Sequence, residues 1–492
     1  MTNTDEARAP VKTGVLNLKR SIIATNASSS RRLLFCPGIF RKLLGDSNFY
    51  RIVLRLALPV TLQSFIMSAL NMLDTIMVGQ LGEMEIAAVG LSNQLYFNLH
   101  LYISAVCGSS SIFISQFWGK QDRSNIRRIL GLSLLVNFVS ALIFFLAGAL
   151  IPDSILSLFS KDTELIELGS DYLRITSISY IMVAITATYS AALRSMEEVK
   201  LPMRASVIGL SANAILNYLL IFGHLGFPRL GVIGAAIGTI ISRLLEMSIL
   251  LFATYGYRYL DISKFMEMFR IPKELVKRYF TTSSVVVAKD MIWAIGMTMY
   301  MAIYGRMGTE VVAVLNIVST IRQLATVFFI GLANACLIMV GKEIGAGDEE
   351  KAYVYSERFL IITALLGILM GGVLFFFKDL ILLPYNVSAA TMSYAVEVLL
   401  VLSCILFMSV FNMVGIVGVL RSGGDAMFCL LLDLIAVYII GLPLAYLGGL
   451  VWHLSIGWVF ALVNLQEVYK MVLVVKRFVT RKWINNLVND VA

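Results

Sequence analysis

Residues 56–78 read LALPVTLQSFIMSALNMLDTIMV, an apolar stretch with a single charged residue, Asp74. About 20 apolar residues are enough for a helix to cross the hydrocarbon core of a bilayer. A carboxylate in that core is strongly disfavoured unless it is neutralised or hydrated, so an acid inside a span indicates a functional site. The alternative for Asp74 is structural: a polar contact that holds two helices together.

Similar apolar stretches recur along nearly the whole chain, which has 492 residues and is 58% hydrophobic and 14% charged. In a bilayer the backbone polar groups must be satisfied internally, and continuous apolar stretches achieve this as helices, whereas barrel strands would alternate. The expected fold class is therefore all-α integral membrane, with twelve transmembrane helices in two six-helix lobes. We place the spans at 51–79, 85–118, 127–151, 166–193, 203–223, 231–255, 278–305, 310–342, 352–377, 388–420, 426–447 and 449–475.

The cations outside these spans are unevenly distributed. The net charge is +9, and alternate connections carry most of it. By the positive-inside rule, these connections and both termini lie in the cytosol. Topology thus explains the basic excess, and we expect no nucleic-acid partner. The basic set is Lys120, Arg123, Arg127, Arg128, Lys200, Arg204, Arg258, Lys264, Arg270, Lys273, Lys277, Arg278, Lys342 and Lys351, with Lys476, Arg477, Arg481 and Lys482 near the C-terminus.

The polar stretches between and around the spans predict five segments. Residues 1–48 are expected to be a disordered basic cytosolic tail, and 477–492 a second cytosolic tail. A lobe at 49–256 is followed by an inter-lobe linker at 257–277 and a second lobe at 278–476. The five cysteines and three histidines are scattered without metal-binding or redox spacing, so we expect no metal centre and no cofactor.

The chain contains two copies of one unit. At an offset of 226 residues, Gly79-x-x-Gly82 recurs as Gly305-x-x-Gly308, and at 227 Leu193-Arg-Ser recurs as Leu420-Arg-Ser. Because each copy has an even number of spans, both insert the same way up, which predicts a parallel repeat with a pseudo-two-fold axis along the membrane normal. Asp74 aligns with Tyr300, so the first lobe has an acid that the second lacks.

Several motifs in order resemble a known family. They are Leu58-Pro59, Asp74-Thr-Ile-Met-Val-Gly79, Asn213-Ala-Ile-Leu-Asn217, Gly234-Ala-Ala-Ile-Gly-Thr239, and Leu420-Arg-Ser-Gly-Gly-Asp425. Together they resemble the multidrug and toxic compound extrusion (MATE) transporters over roughly residues 50–475. The resemblance implies a secondary antiporter that exports amphipathic, often cationic compounds against an inward flow of protons or sodium.

The resemblance also implies an ion-coupling cluster in the first lobe, formed by Asp74, Asn213, Asn217 and Thr239. Asn213 and Asn217 are four residues apart and share a helix face, so they could hold a carboxyl group, a water or a sodium ion, or simply join two helices. Some family members carry an acid at the position of Asn217. Its absence leaves Asp74 as the main titratable group. Burial favours the uncharged form of a lone carboxyl, so we favour protons over sodium.

A substrate cavity is expected between the lobes, with Asp290, Met297, Tyr300, Tyr304 and Glu397 as candidate lining residues. Methionine and aromatic side chains adapt to varied apolar ligands and hold cations over ring faces. Lys289 and Asp290 are adjacent, and we expect them to point to different faces and not to pair. Asp433 is a further lone acid, whereas Arg243 and Glu246 are expected to neutralise each other locally.

Two other classes of protein remain as alternatives. A lipid-linked oligosaccharide flippase shares the wider fold but requires a strongly cationic cavity. A membrane enzyme requires a polar catalytic cluster, and neither such a cluster nor an ATP-binding motif occurs in the sequence. We therefore expect a non-enzymatic, monomeric antiporter in a bacterial inner membrane, whose partners are a drug-like small molecule, a proton or sodium ion, and the lipid bilayer.

Overall fold

The computed structural model describes residues 47–489, except for residues 258, 260, 261 and 386. Two units are distinguished by their internal contacts, Met1–Tyr50 and Arg51–Ala492, and the architecture below is that of the second. The predicted tail at 1–48 lies outside the described residues, except for its last two residues, which begin the first helix.

The described part of the chain contains twelve spans and no strand. Eleven are single helices long and apolar enough to cross a membrane, and the twelfth is a pair of helices bent by 48°. The protein is thus a multi-pass integral membrane protein, as the sequence predicts. The N-lobe comprises α1 (Ser47–Gly79), α2 (Glu83–Gly119), α3 (Arg123–Leu150), the bent pair α4 (Thr163–Thr176 with Ser179–Ser195), α5 (Lys200–Phe222) and α6 (Val232–Gly256). The C-lobe comprises α7 (Lys273–Met307), α8 (Thr309–Gly345), α9 (Glu349–Phe376), α10 (Ala389–Leu420), α11 (Ala426–Val451) and α12 (Ile456–Val479).

The two lobes begin their third spans in the same way. The Asp122 carboxylate accepts a hydrogen bond of 3.0 Å from the Asn125 backbone N–H at the start of α3. The Asp348 carboxylate accepts one of 3.0 Å from the Lys351 backbone N–H at the start of α9. Such caps satisfy N–H groups that the first helical turn leaves unpaired. Since both pairs are related by the 226-residue offset, the repeat is reproduced in local hydrogen bonding.

A second symmetric contact joins the lobes to each other. A Cβ atom at Gly119 of α2 would collide with the carbonyl oxygen of Lys342 in α8, and one at Gly345 of α8 would collide with that of Gln116 in α2. These four residues exchange roles under the same offset. Glycine is required because only it lets two helix backbones approach so closely. The last turns of α2 and α8 therefore cross beside the pseudo-two-fold axis.

The junction between the last two spans differs from the prediction. We expected a break at residue 448, but α11 continues to Val451 and α12 begins at Ile456. The residues at the predicted break lie in a π-helical end of α11, Leu447–Val451. A Cβ atom at Gly449 would lie 2.6 Å from the Met307 Sδ of α7. Its small size therefore serves helix packing and not a turn.

The connection between the lobes is held against the N-lobe. It contains a 3₁₀ segment, Ile262–Phe269, in which the Glu267 carboxylate accepts a hydrogen bond of 2.9 Å from Arg127 Nε of α3. This hydrogen bond holds the pKa of Glu267 below its usual range. The linker is therefore fastened to the third span of the lobe that precedes it.

Candidate functional site

Asp74 lies near the end of α1 and faces α5 inside the N-lobe. Its Oδ1 accepts a hydrogen bond from the Asn217 side-chain nitrogen, and Asn217 itself is fully buried. Two residues 143 positions apart in the chain thus meet across a helix interface. The acid that the sequence singles out is therefore partnered by an amide from another span.

The other members of the expected cluster lie beside this contact. The Asn217 side-chain nitrogen is 3.4 Å from the Asn213 Oδ1, and the Asn213 side-chain nitrogen is 3.5 Å from the Thr239 Oγ1 of α6. Thr239 in turn donates to the Ala235 carbonyl oxygen at 2.9 Å. The structure thus brings the four predicted residues of the cluster together from α1, α5 and α6. The amide orientations are assigned from this network, as is usual for asparagine.

One polar atom in the cluster has no partner. The Asn217 Oδ1 is buried without a hydrogen bond among the described residues. A buried acceptor of this kind is unfavourable unless a donor or a cation reaches it. A Cβ atom at Gly238 would collide with this oxygen, so the glycine leaves the space in which the Asn217 amide fits. The cluster therefore has an unused oxygen ligand next to a carboxylate.

Arg243, which the sequence analysis paired with Glu246, follows Thr239 by one turn on α6. The Arg243 Nη1 donates to the Glu246 Oε2 at 2.9 Å, so the expected local pair is present. Glu246 Oε1 accepts a hydrogen bond of 2.6 Å from Ser206 Oγ, which accepts one of 2.9 Å from Gln63 Nε2. A polar chain therefore runs from α1 through α5 to α6.

The C-lobe contains the counterpart of this polar chain, built from charges. Lys289 Nζ lies 3.5 Å from Asp433 Oδ2, and Asp433 Oδ1 lies 3.1 Å from Lys470 Nζ. Lys470 also lies 3.6 Å from Glu467. At the offset of 226 residues, Gln63 corresponds to Lys289. At the offset of 227, Ser206 corresponds to Asp433 and Arg243 to Lys470. Sequence reasoning missed Gln63 and Ser206, although the offset, applied to every polar residue in a span, would have found both.

Two expectations about these C-lobe charges are wrong. Lys289 and Asp290 do pair, with Nζ and Oδ1 2.8 Å apart, because the long lysine side chain can fold back along the helix surface. Asp433 is not a lone acid, since two lysines neutralise it. Asp290 also lies 3.8 Å from Arg421. In this conformation Asp290 is therefore held by two cations.

Most of the remaining candidate cavity residues are packed into the C-lobe core. Tyr300 and Tyr304 are 4% and 5% exposed and belong, with Met297 against them, to the C-lobe core. The Tyr300 hydroxyl lies 3.2 Å from Gln466 Oε1, so it is satisfied internally. Glu397 accepts a hydrogen bond of 3.1 Å from Ser455 Oγ just before α12. These residues therefore do not form a common cavity lining in this conformation.

The four-residue cluster places a carboxylate among neutral amide and hydroxyl groups, an arrangement that can bind and release a cation. It lies in the N-lobe, whereas the C-lobe has Tyr300 at the position of Asp74. Within the described residues, no three His, Cys, Asp or Glu side chains are placed to hold a metal ion. Two six-helix lobes related by a parallel repeat are an architecture of membrane transporters, which bind their ligands at the interface between the repeats.

The MatE family profile matches residues 59–219 and 286–447, one segment in each lobe. The starts of the two segments differ by the offset of the internal repeat. Because the match covers more than half of the chain, the chain belongs to the MatE family. The resemblance inferred from the motifs is thereby confirmed, and the protein is a membrane transporter and not an enzyme.

Individual relatives are distant but extensive. A Halalkalibacterium halodurans protein named probable multidrug resistance protein NorM is 24% identical over 402 residues, covering 81% of this chain and 87% of the relative. The uncharacterized transporter YisQ of Bacillus subtilis is 26% identical over 443 residues, covering 87% and 93%.

The solved structures that resemble this chain show the same fold. A MOP superfamily transporter from Pyrococcus furiosus has a TM-score of 0.78 at 20% identity, covering 91% of this chain and 98% of its own. A multidrug resistance MATE family transporter in an outward-facing conformation has a TM-score of 0.77 at 20% identity, covering 91% and 99%. The expected two-lobe, all-α architecture is thereby confirmed.

Proposed function

We propose that this protein is a secondary antiporter that exports amphipathic, often cationic, drug-like molecules by alternating access, with Asp74 as the ion-binding residue. The observation that carries the proposal is the contact of Asp74 with Asn217 inside one lobe of a two-lobe transporter. An ion that binds Asp74 changes the charge of a partly buried site. Such a change biases the packing of α1 against α5, and thereby the balance between two lobe arrangements.

We propose protons as the coupling ion, with sodium as the alternative. Asp74 is the one carboxylate in the four-residue cluster, and a lone carboxyl that loses water favours its protonated form. Sodium would need several oxygens around a charged carboxylate. Asn213, Thr239 and the unpartnered Asn217 oxygen could supply neutral ones.

The export of drug-like molecules is supported by the family and by the name of the Halalkalibacterium halodurans relative. The flippase alternative gains no support from the charges. Four span cations, Arg243, Lys289, Arg421 and Lys470, have carboxylate partners. A pyrophosphate group would have to displace a carboxylate at each of these four cations.

The coupling proposal is tested by drug efflux from proteoliposomes in which proton and sodium gradients are imposed separately. We expect efflux to follow the proton gradient at constant sodium and to acidify the compartment that loses the drug. Asp74→Asn keeps the shape of the side chain but removes its titration, and it should abolish coupled efflux. Asp171→Asn changes an exposed acid of α4 that pairs with Arg174, and it is the matched control.

Two outcomes of this experiment would change the proposal. Efflux that persists without a proton gradient and stops when sodium is withdrawn would assign sodium as the ion while retaining Asp74 as its ligand. Full coupled efflux by a folded Asp74→Asn protein would remove Asp74 from the coupling mechanism altogether.

We further propose that both termini lie in the cytosol and that the protein works as a monomer in a bacterial plasma membrane. The orientation is supported by the basic connections, among them Lys120, Arg123 and Lys351. A reporter enzyme that works only in the cytosol should give a signal when it is fused after residue 492. A signal obtained only with a reporter that works outside the cytosol would show the opposite orientation.

A further inference from the structure

The segment after α12 turns back between the lobes. It spans residues 480–489, and we call it the C-terminal segment. Two of its side chains, Trp483 and Val488, are fully buried. It lies at the end of the bundle where the α2–α3 and α8–α9 connections meet, which we call the basic face. This segment belongs to the predicted cytosolic tail at 477–492, and these two side chains pack against the helical bundle.

The first half of the C-terminal segment is anchored on the C-lobe. Arg481 Nη2 lies 3.1 Å from the Glu350 carboxylate of α9, and its guanidinium lies 4.2 Å from the centre of the Tyr353 ring. The Trp483 ring stacks on Phe478 at the end of α12. The Asn485 backbone N–H donates to the Gly423 carbonyl oxygen at 3.1 Å. These contacts remain within one lobe.

The tip of the same segment is bound to the N-lobe. Gln116 of α2 accepts a hydrogen bond of 2.9 Å from the Leu487 backbone N–H and donates one of 3.2 Å to the Asn485 carbonyl oxygen. Lys120 Nζ donates to the Val488 carbonyl oxygen at 2.9 Å. The Val488 side chain is part of a core cluster that contains Phe113 of α2 and Tyr279 of α7, one from each lobe. The tip therefore packs into a core cluster shared by the two lobes and is hydrogen-bonded to α2.

The tip lies on the seam along which the lobes must part. At the same end, Gln116 Nε2 donates to the Ser422 carbonyl oxygen at 2.9 Å, and Lys342 Nζ lies 2.8 Å from Glu197 across the seam. Further along α2, the hydroxyls of Ser109 and Ser283 are 2.7 Å apart. The structure is thus closed on the basic face, and opening there requires the contacts of the tip to break.

We propose that residues 485–489 form a latch, anchored on the C-lobe, that holds the lobes together on the basic face and releases during each transport cycle. The inference rests on the proposed alternating access. The anchor at Arg481 and Trp483 stays in place whether the basic face is closed or open. The tip therefore remains close to its binding site and can rebind there. The latch therefore sets the balance between the closed and the open basic face.

The latch is tested with a cysteine reporter in the seam. Ser115 of α2 is fully buried and faces Gly341 of α8, where a Cβ atom would collide with its hydroxyl. Ser115→Cys is introduced after the five native cysteines have been replaced by alanine. The rate of alkylation by a membrane-impermeant maleimide, applied from the basic face, then measures how often the seam opens.

Val488→Ala removes two methyl groups from the core cluster shared by the two lobes, and we expect the alkylation rate to rise about tenfold. Lys120→Met removes the hydrogen bond to the Val488 carbonyl from an exposed site, and it should raise the rate about threefold even if the valine variant folds poorly. Val479→Ala makes the same change at a half-exposed position of α12 and should leave the rate unchanged.

Unchanged alkylation in both folded latch variants would overturn the latch. Drug efflux measured on the same samples separates this result from a failure of the proposed function. If the unsubstituted protein shows no ion-driven efflux, the antiport proposal fails. The alkylation rate still measures how often the seam opens, so the latch can be judged separately. If efflux is present and both latch variants alkylate at the unsubstituted rate, only the latch fails.

Discussion

The N-lobe and the C-lobe use the same positions for different chemistry. In the N-lobe the first span contributes Asp74, which contacts the amide of Asn217. At the corresponding position in the C-lobe is Tyr300, whose hydroxyl lies 3.2 Å from Gln466. Gln466 itself corresponds to Thr239 at the offset of 227. Asp74 thus meets Asn217 of the fifth span, whereas Tyr300 meets the counterpart of Thr239 in the last span, so the same position of the two lobes has different partners.

The polar chains of the two lobes also differ in the residues at corresponding positions. In the N-lobe, Ser206 joins Gln63 to the carboxylate of Glu246. In the C-lobe, Asp433 joins Lys289 to Lys470, so that fixed charges replace neutral groups. A neutralised charge network is costly to disturb in a low-dielectric region. The comparison therefore supports the proposed ion exchange in the N-lobe and a stabilising charge network in the C-lobe.

The largest expected difference concerns Asp74 and its counterpart Tyr300. Asp74→Asn should abolish ion-driven efflux, whereas Tyr300→Phe should retain most of it, because the tyrosine hydroxyl contributes about 1 kcal/mol of structural hydrogen bonding. Both variants are measured in proteoliposomes beside the unsubstituted protein. Equal loss in folded protein would show that both lobes take part in coupling.

The second prediction compares the centres of the two polar chains. Asp433→Asn leaves the buried ammonium groups of Lys289 and Lys470 without this carboxylate, and it should lower the free energy of unfolding by about 3 kcal/mol. Ser206→Ala should lower it by about 1 kcal/mol. Denaturant unfolding in detergent measures both, with Asp379→Asn at an exposed pair as the control. A larger loss of unfolding free energy for Ser206→Ala than for Asp433→Asn would show that the polar chain of the N-lobe contributes more to stability than that of the C-lobe.

The third prediction tests the symmetry of the seam. Gly119→Ala and Gly345→Ala each push a Cβ atom into the facing backbone, and each should cost about 1–3 kcal/mol, by similar amounts. Gly372 of α9 has open space around its Cα, so Gly372→Ala is the control and should be neutral or slightly stabilising. Thermal unfolding of the three variants is compared. Strongly unequal losses would show that the two contacts are not equivalent.

The smallest effect concerns how each lobe fastens the segment that follows its sixth span. The N-lobe does so through Arg127 and Glu267, and the C-lobe through Arg481 and Glu350. Because the pKa of Glu267 is lowered, the stabilisation by its ion pair is complete above the usual carboxyl range and is lost as the pH falls through the lowered value.

The hydrogen-exchange protection of residues 262–269, taken relative to the intrinsic exchange rate at each pH, should therefore fall in acid, and Glu267→Gln should show the fall already at neutral pH. The protection of the core of α8 is the internal control and should not change. Protection of residues 262–269 that is independent of pH in the unsubstituted protein would show that the ion pair does not hold the linker.

Much of the site could be predicted because its signals are local. Asp74 is conspicuous as an acid in an apolar span, and its cluster partners follow from a family resemblance. The pairing of Lys289 with Asp290 was mispredicted because adjacent helical residues point apart at Cβ, whereas a flexible lysine can reach back. Tyr300 and Tyr304 were assigned to a cavity, and their packing in the C-lobe core depends on side-chain orientation that no residue pattern specifies.

The sequence by itself determined the number of spans, the parallel repeat and the lobe that carries the lone acid. Hydrophobic length and residue spacing are properties of the chain alone, and a bilayer turns them directly into helices. Only the tertiary structure decided that Ser206 joins Gln63 to Glu246, that Asp433 joins two lysines, and that Val488 enters a core cluster shared by the two lobes. These contacts join residues far apart in the chain, and they depend on how the helices pack and which way each side chain turns.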